Sequence, residues 1–257
     1  MKIAKATPFD GIPQIMMPSI YGASTGKEIM YRIPVIGNRP IEITVDGLQQ
    51  GLNFKDGKIK GVINCDCDFT VKITAKNKLG YDEKVVTIKI RPDHTLLTPL
   101  MGYTTWNAYD SEVSQEIVET TARDLAEKGI LDYGYNYFNT DSGWQSVYGG
   151  EFDAIMPNEK FPDMETMCSK LHDLGFKCGI YSTPMLTAWG CPAEFKEIPG
   201  CTVGEPDILN TTQNGGIGVI HKERNNVLQW EKWGFDYLKY DWCPSDPPTA
   251  DLMKKNC

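Results

Sequence analysis

The stretch Trp233-Gly234-Phe235-Asp236-Tyr237-Leu238-Lys239-Tyr240-Asp241-Trp242-Cys243 decides how the chain is read. Its centre, Phe235 to Tyr240, is rich in aromatic and aliphatic residues and predicts a short β-strand. Side chains two residues apart on a strand share a face, so Lys239 and Asp241 leave the strand end together. A neighbouring ammonium favours the ionised carboxylate, and an anionic carboxylate at a strand's C-terminal end is suited to act as a nucleophile. Taken alone, a strand-end Lys/Asp pair is more often a surface ion pair; the sequence upstream shifts that balance.

Working back from this strand, the chain from residue 96 repeats strand, loop and helix. A strand around Met101 to Thr105 precedes a helix that opens at Ser114, a good N-cap, and runs to Lys128 with Gly129 as its stop. A second strand, Tyr135 to Thr140, ends at Asp141. After a long loop, Met164, Met167, Cys168, Leu171 and Leu174 form a helical face closed by Gly175. Phe176 to Tyr181 is the third strand and the opening stretch is the fourth. Buried strands alternating with helices predict a parallel sheet, and four such units suit the first half of a (β/α)8 TIM barrel, whose site lies at the strand C-termini. Four units cannot close a barrel. Asp246-Pro247-Pro248 reads as a helix start that Cys257 leaves unfinished, so a chain truncated after the fourth barrel strand is expected.

The residues at these strand ends are Trp106, Asp141, Tyr181 and the Lys239/Asp241 pair. An aromatic face, hydroxyl-binding carboxylates and an anionic nucleophile are what a monosaccharide pocket needs. Singly, each has a plainer reading: Trp106 plugging the barrel floor, Tyr181 bonding the backbone, Asp141 capping a loop.

Residues 1–95 follow a different pattern. Ile41, Ile43 and Val45 alternate with polar residues, as do Phe69, Val71 and Ile73, and Val86, Ile88 and Ile90. Such strands have one wet face, and the turn residues between them fit a small antiparallel sandwich. The domains expected are therefore a β-sandwich module over 1–95 and a β/α region over 96–257.

With 257 residues, 41% hydrophobic and 23% charged, the chain can bury a sizeable core. A formal charge of −8 and a pI near 5.0 argue against nucleic acid as a partner and leave a neutral small or polymeric ligand. No apolar run is long enough for a transmembrane helix, so no membrane partner is expected. Residues 1–8 show no apolar signal-peptide region. Cys65-Asp66-Cys67 is too tight for the usual zinc spacing, and Cys168 and Cys178 read as small packing groups, so no metal site is expected. Cys191, Cys201 and Cys243 lie in loops and would bridge in an oxidising compartment.

Two sets of residues carry a family resemblance. Tyr31-Arg32-Ile33-Pro34, Gly37-Asn38-Arg39-Pro40 and Gly47-Leu48 to Gly51-Leu52 resemble the immunoglobulin-like module that precedes the catalytic barrel in many bacterial family 27 glycoside hydrolases. Leu97 to Asn107, Tyr137-Phe138-Asn139-Thr140-Asp141-Ser142-Gly143-Trp144, Phe161-Pro162-Asp163-Met164, Gly179-Ile180-Tyr181-Ser182 and Trp233 to Asp241 are similar, in order, to that family's barrel motifs. The resemblance implies a retaining, α-galactosidase-like hydrolase of terminal α-linked galactose or a related pyranoside, without metal or organic cofactor. It implies Asp241 as nucleophile, Trp106 stacking on the sugar, Asp141, Ser142, Tyr181 and Lys239 binding it, a Cys191–Cys243 loop disulfide, and an extracytoplasmic location. Oligomeric state has no sequence signal.

Three departures bear on function. The family usually has two adjacent aspartates after strand two; here the second is Ser142, a weaker neutral contact that puts preference for galactose's axial 4-hydroxyl in question. The segment Thr202 to Gln229 is longer than the usual connection. A retaining glycosidase also needs two carboxyl groups about 5 to 5.5 Å apart, and the family's acid/base lies beyond strand four. Glu231, Asp236 and Asp246 are not placed for that role, so the isolated chain is expected to be inactive or nearly so. The alternatives are a non-catalytic carbohydrate-binding or scaffold protein, or a related specificity such as β-L-arabinopyranosidase or α-N-acetylgalactosaminidase.

Overall fold

The longest alternating segments become the longest strands. The computed structural model describes residues 9–92, 97–182 and 222–240. The chain divides into two units, Met1–Gly102 with Leu125–Asn136 and Tyr103–Asp124 with Tyr137–Cys257.

In the first unit β1 (Gln14–Ile15), β2 (Ile20–Ser24), β3 (Glu28–Arg32), β4 (Val35–Ile36), β5 (Glu42–Asp46), β6 (Leu52–Lys55), β7 (Lys58–Val62), β8 (Cys67–Asn77) and β9 (Gly80–Arg91) form a β2-β9-β8-β5 sheet, a β3-β7-β6 sheet and a β1-β4 pair. Side chains alternate in and out along β8. The inward set joins that of the other sheet in one core, with Ile29 and Ile59 meeting Val71, Ile73, Ile88 and Ile90. Burying each such side chain contributes about 1.5 to 3 kcal/mol. The β8–β9 turn is fixed by Asn77, whose Oδ1 accepts from the backbone N–H groups of Leu79 and Gly80 while Nδ2 donates to the carbonyls of Gly11 and Asn38.

The expected antiparallel arrangement holds for every pairing of this unit except one: β2 runs parallel to β9. Parallel strands need a long connection, and here everything from β3 to β8 lies between the two. Residues 125–136 join this unit through Asp132, whose carboxylate accepts from Arg32 at 2.7 Å and Arg39 at 2.5 Å.

The second unit contains β10 (Gly102–Thr104), α1 (Trp106–Tyr109), α2 (Gln115–Glu127), β11 (Tyr137–Thr140), β12 (Gln145–Gly149), β13 (Ala154–Pro157), α3 (Met164–Leu174), β14 (Lys177–Ser182), α4 (Glu223–Trp233) and β15 (Tyr237–Tyr240). The sheet order is β10-β11-β14-β15, and β11, β14 and β15 are parallel. Helix ends fall where the sequence marks them. Ser114 Oγ accepts from the Ile117 N–H, Asp163 caps α3 through Thr166, and Gly129 and Gly175 sit at φ of +80° and +104°.

Two features were not expected. The long loop after Asp141 contains the β12–β13 hairpin, and residues 223–229, expected as part of an extended connection, lie in α4. Asn226 of that helix accepts from the Ile155 N–H at 2.9 Å, tying α4 to the hairpin.

At the N-terminal end of the strands, Asp236 accepts from the Cys178 N–H and pairs with His172, both at 2.8 Å, while its own N–H donates to the Cys178 carbonyl. Burial pushes its carboxyl up, but the His172 bond, the Lys177 and His172 charges and the Cys178 N–H outweigh this and hold it below the ordinary carboxylate range. A depressed folded-state pKa adds stability above the unfolded value, and that stability is lost as pH falls through the folded value. Asp236→Asn is therefore expected to cost about 1 to 3 kcal/mol at neutral pH. Urea melts across pH should show the gap from the parent narrowing as pH drops below about 4.

Candidate sugar-binding site

Thr104, Asn139 and Lys239 stand at or near the C-terminal ends of β10, β11 and β15, and Asp141 follows β11 directly. They meet at the Asp141 carboxylate. Its Oδ2 accepts from Lys239 Nζ at 2.8 Å, Thr104 Oγ1 at 2.9 Å and Asn139 Nδ2 at 3.2 Å, and its Oδ1 from the Ser142 N–H at 2.9 Å. The Asp141 side chain is only 2% exposed, Lys239 33%. A buried carboxylate is tolerated when it is paired and hydrogen-bonded, and this one has both forms of compensation. With three bonds on Oδ2 and one on Oδ1 among the described residues, Oδ1 retains capacity for a ligand hydroxyl.

Lys239 also lies 5.3 Å from the centre of the Tyr181 ring, within cation–π range. Its carboxylate partner among the described residues is Asp141, far upstream of the neighbour expected from sequence. Asp241, the expected nucleophile, lies outside the described residues, as do Cys191 and Cys243.

The loop after Asp141 is tightly held. Ser142 is buried with its hydroxyl 3.3 Å from Gln145 Nε2, and Gln145 Oε1 accepts from the Gly143 N–H at 2.9 Å. Gly143 adopts φ +108°, and a β-carbon there would stand 2.8 Å from the Ser111 carbonyl oxygen, so only glycine fits. Trp144 is fully buried, donates to the Tyr181 carbonyl at 3.1 Å and packs edge-on against Trp230 and Trp233 of α4. This tryptophan links the β11 loop, the end of β14 and α4. Trp106 opens α1 immediately after β10 and is 37% exposed, an orientation unlike that of a buried plug.

The structure thus joins Asp141, Tyr181 and Lys239 directly and adds Thr104 and Asn139, which sequence reasoning missed. Asn139 had a signal: it precedes Asp141 by two residues and so shares its side of the strand. The arrangement defines a polar site at the strand ends of a parallel β/α sheet, the place where such folds bind ligands.

Relatives sharpen that class. No family model matches the chain. It is 31% identical over 166 residues to "Probable alpha-galactosidase B" of Talaromyces emersonii, covering 63% of this chain and 31% of that protein. It is likewise 31% identical over 153 residues to "Alpha-galactosidase mel1" of Schizosaccharomyces pombe, covering 57% and 29%. The solved structure of "a putative alpha-galactosidase" from Bacteroides fragilis NCTC 9343 superposes with a TM-score of 0.79 at 30% identity, over 96% of this chain and 49% of that one. The chain therefore spans about a third of the curated relatives and half of the solved structure. The proteins it matches bear α-galactosidase names, in keeping with the family that the ordered sequence motifs resemble.

Proposed function

We propose that this chain carries the sugar-binding half of a retaining glycoside hydrolase acting on terminal α-linked galactose or a related pyranoside. The observation that carries this reading is the buried Asp141 carboxylate, held by Lys239, Thr104 and Asn139 at the ends of a parallel sheet. In this reading residues 96–257 supply the first four strands of a (β/α)8 barrel. Residues 1–95 form an immunoglobulin-like module with a structural role.

Asp141 and Lys239 take sugar hydroxyls as a charged acceptor and donor, and the exposed Trp106 offers an aromatic face for the ring's C–H groups. Asp241 is the group that attacks the anomeric carbon. The acid that protonates the leaving oxygen and then activates water is not assigned among these residues. Galactose is accordingly expected to bind the isolated chain without turnover. Ser142 is turned into contact with Gln145, which supports a looser hold on the 4-hydroxyl than a second aspartate would give.

Ligand-observed NMR with galactose and its 4-epimer glucose tests the site, and a nitrophenyl α-galactoside assay tests turnover. Asp141→Asn should weaken galactose binding about tenfold to a hundredfold while circular dichroism remains that of the parent. Equal binding by the parent and the Asp141 variant would overturn the site, and hydrolysis by the isolated chain would overturn the missing acid.

A further inference from the structure

A second cluster stands at the opposite end of the strands. His172 Nε2, Cys178 Sγ and an Asp236 carboxylate oxygen all lie within 4.8 Å of one another. They come from the last turn of α3, the start of β14 and the residue before β15. Cys168 lies one turn before His172 on the same face of α3, and its carbonyl is 3.6 Å from Cys178 Sγ.

We propose that His172, Cys178 and Asp236 form a three-residue binding site for a divalent transition-metal ion of the zinc type, with a solvent molecule completing its coordination. The donor set is one imidazole, thiol sulfur and a carboxylate, the mixture that zinc and cobalt(II) favour over magnesium or calcium. Tetrahedral coordination places donor atoms about 3.3 to 3.8 Å apart, given bonds of about 2.0 to 2.3 Å. Closing the present spacing takes about 1 Å of side-chain rotation at His172 and Asp236, which are both partly exposed and line the entrance.

Binding exchanges interactions already present. The metal replaces the hydrogen between His172 and Asp236, and His172 must present Nε2 as a lone pair. Cys178 binds as thiolate, so its proton leaves to solvent. Burial, followed by the Cys168 thiol, pushes the Cys178 thiol well up, and Lys177 lies 3.6 Å from Asp236; both oppose the dication. The opposing gain is three directional bonds from protein ligands to the ion. The sequence offers no conventional zinc spacing because the ligands arrive from three separate elements.

Cobalt(II) titration of the full chain without oxygen, in a Cys65→Ser/Cys67→Ser background that removes the exposed thiol pair 3.2 Å apart, provides the test. The expected result is a saturable thiolate-to-cobalt band in the near-ultraviolet, with the visible bands of tetrahedral cobalt, displaced by zinc. Cys178→Ala should abolish the charge-transfer band, and His172→Ala should weaken binding about tenfold or more. The His172 side chain is partly exposed, so that variant, checked for its fold by circular dichroism, decides the matter if the buried Cys178 change unfolds the protein. Absence of the band, or a band and affinity unchanged by His172→Ala, would overturn the site.

Discussion

Lys239→Met is expected to destabilise the protein by about 2 to 4 kcal/mol, because it leaves a buried carboxylate without its cation. Asp141 keeps its bonds from Thr104, Asn139 and the Ser142 N–H, which is why the cost stays short of that of a wholly abandoned charge. Urea unfolding of the single variants and of Asp141→Leu/Lys239→Met would measure the coupling. The double variant should recover part of the loss, since it removes both charges from a site that no longer has to solvate them. A single Lys239 variant as stable as the parent would mean that the neutral donors alone sustain the carboxylate. Galactose binding should fall in the same variant, through loss of a charged donor.

Trp144→Ala is expected to cost about 3 to 5 kcal/mol, the range for emptying a buried aromatic site. The indole contacts Trp230 and Trp233 at ring-centre distances of 6.4 and 6.3 Å and supplies the bond to the Tyr181 carbonyl. Trp144→Phe keeps much of the packing and loses that bond, so a smaller loss of about 1 to 2 kcal/mol should appear in the same denaturation experiment. Sugar affinity should fall with Trp144→Ala even well below its melting temperature, because the loop carrying Asp141, Ser142 and Gly143 is anchored by this ring. A destabilised variant with unchanged sugar affinity would show that the loop is held without the ring, by Gln145 and by Asn158, whose Nδ2 donates to the Gly143 carbonyl at 2.8 Å.

Elements with a single strong period were legible in the sequence. β8 and β9 alternate over eleven and twelve residues, and the glycines that follow α2 and α3 adopt left-handed conformations. α4 was hidden because its buried face includes Asn226 and Gln229 beside Trp230 and Trp233, while Val227 and Leu228 are exposed. A helix that buries amides and shows aliphatics to solvent has no readable apolar stripe, and Lys222 gives it no side-chain cap. The parallel β2–β9 pairing was hidden for another reason: alternation fixes a strand's faces but not its neighbour. The same limit applied at the site. Proximity in sequence points from Lys239 to Asp241, which lies outside the described residues; the fold of the sheet also brings Lys239 to Asp141, and nothing local in either segment encodes that meeting.

The return of residues 125–136 to the first unit bears on how such a chain can be inherited. Three peptide junctions, after Gly102, Asp124 and Asn136, separate the two units, and Asp132 belongs with Arg32 and Arg39. A recombination event with one crossover near residue 95 would deliver the N-terminal module without Asp132, leaving two arginines that have lost their common acceptor. The N-terminal module is therefore poorly suited to travel as an exchangeable cassette, and substitutions at Arg32, Arg39 and Asp132 should be selected together across a lineage.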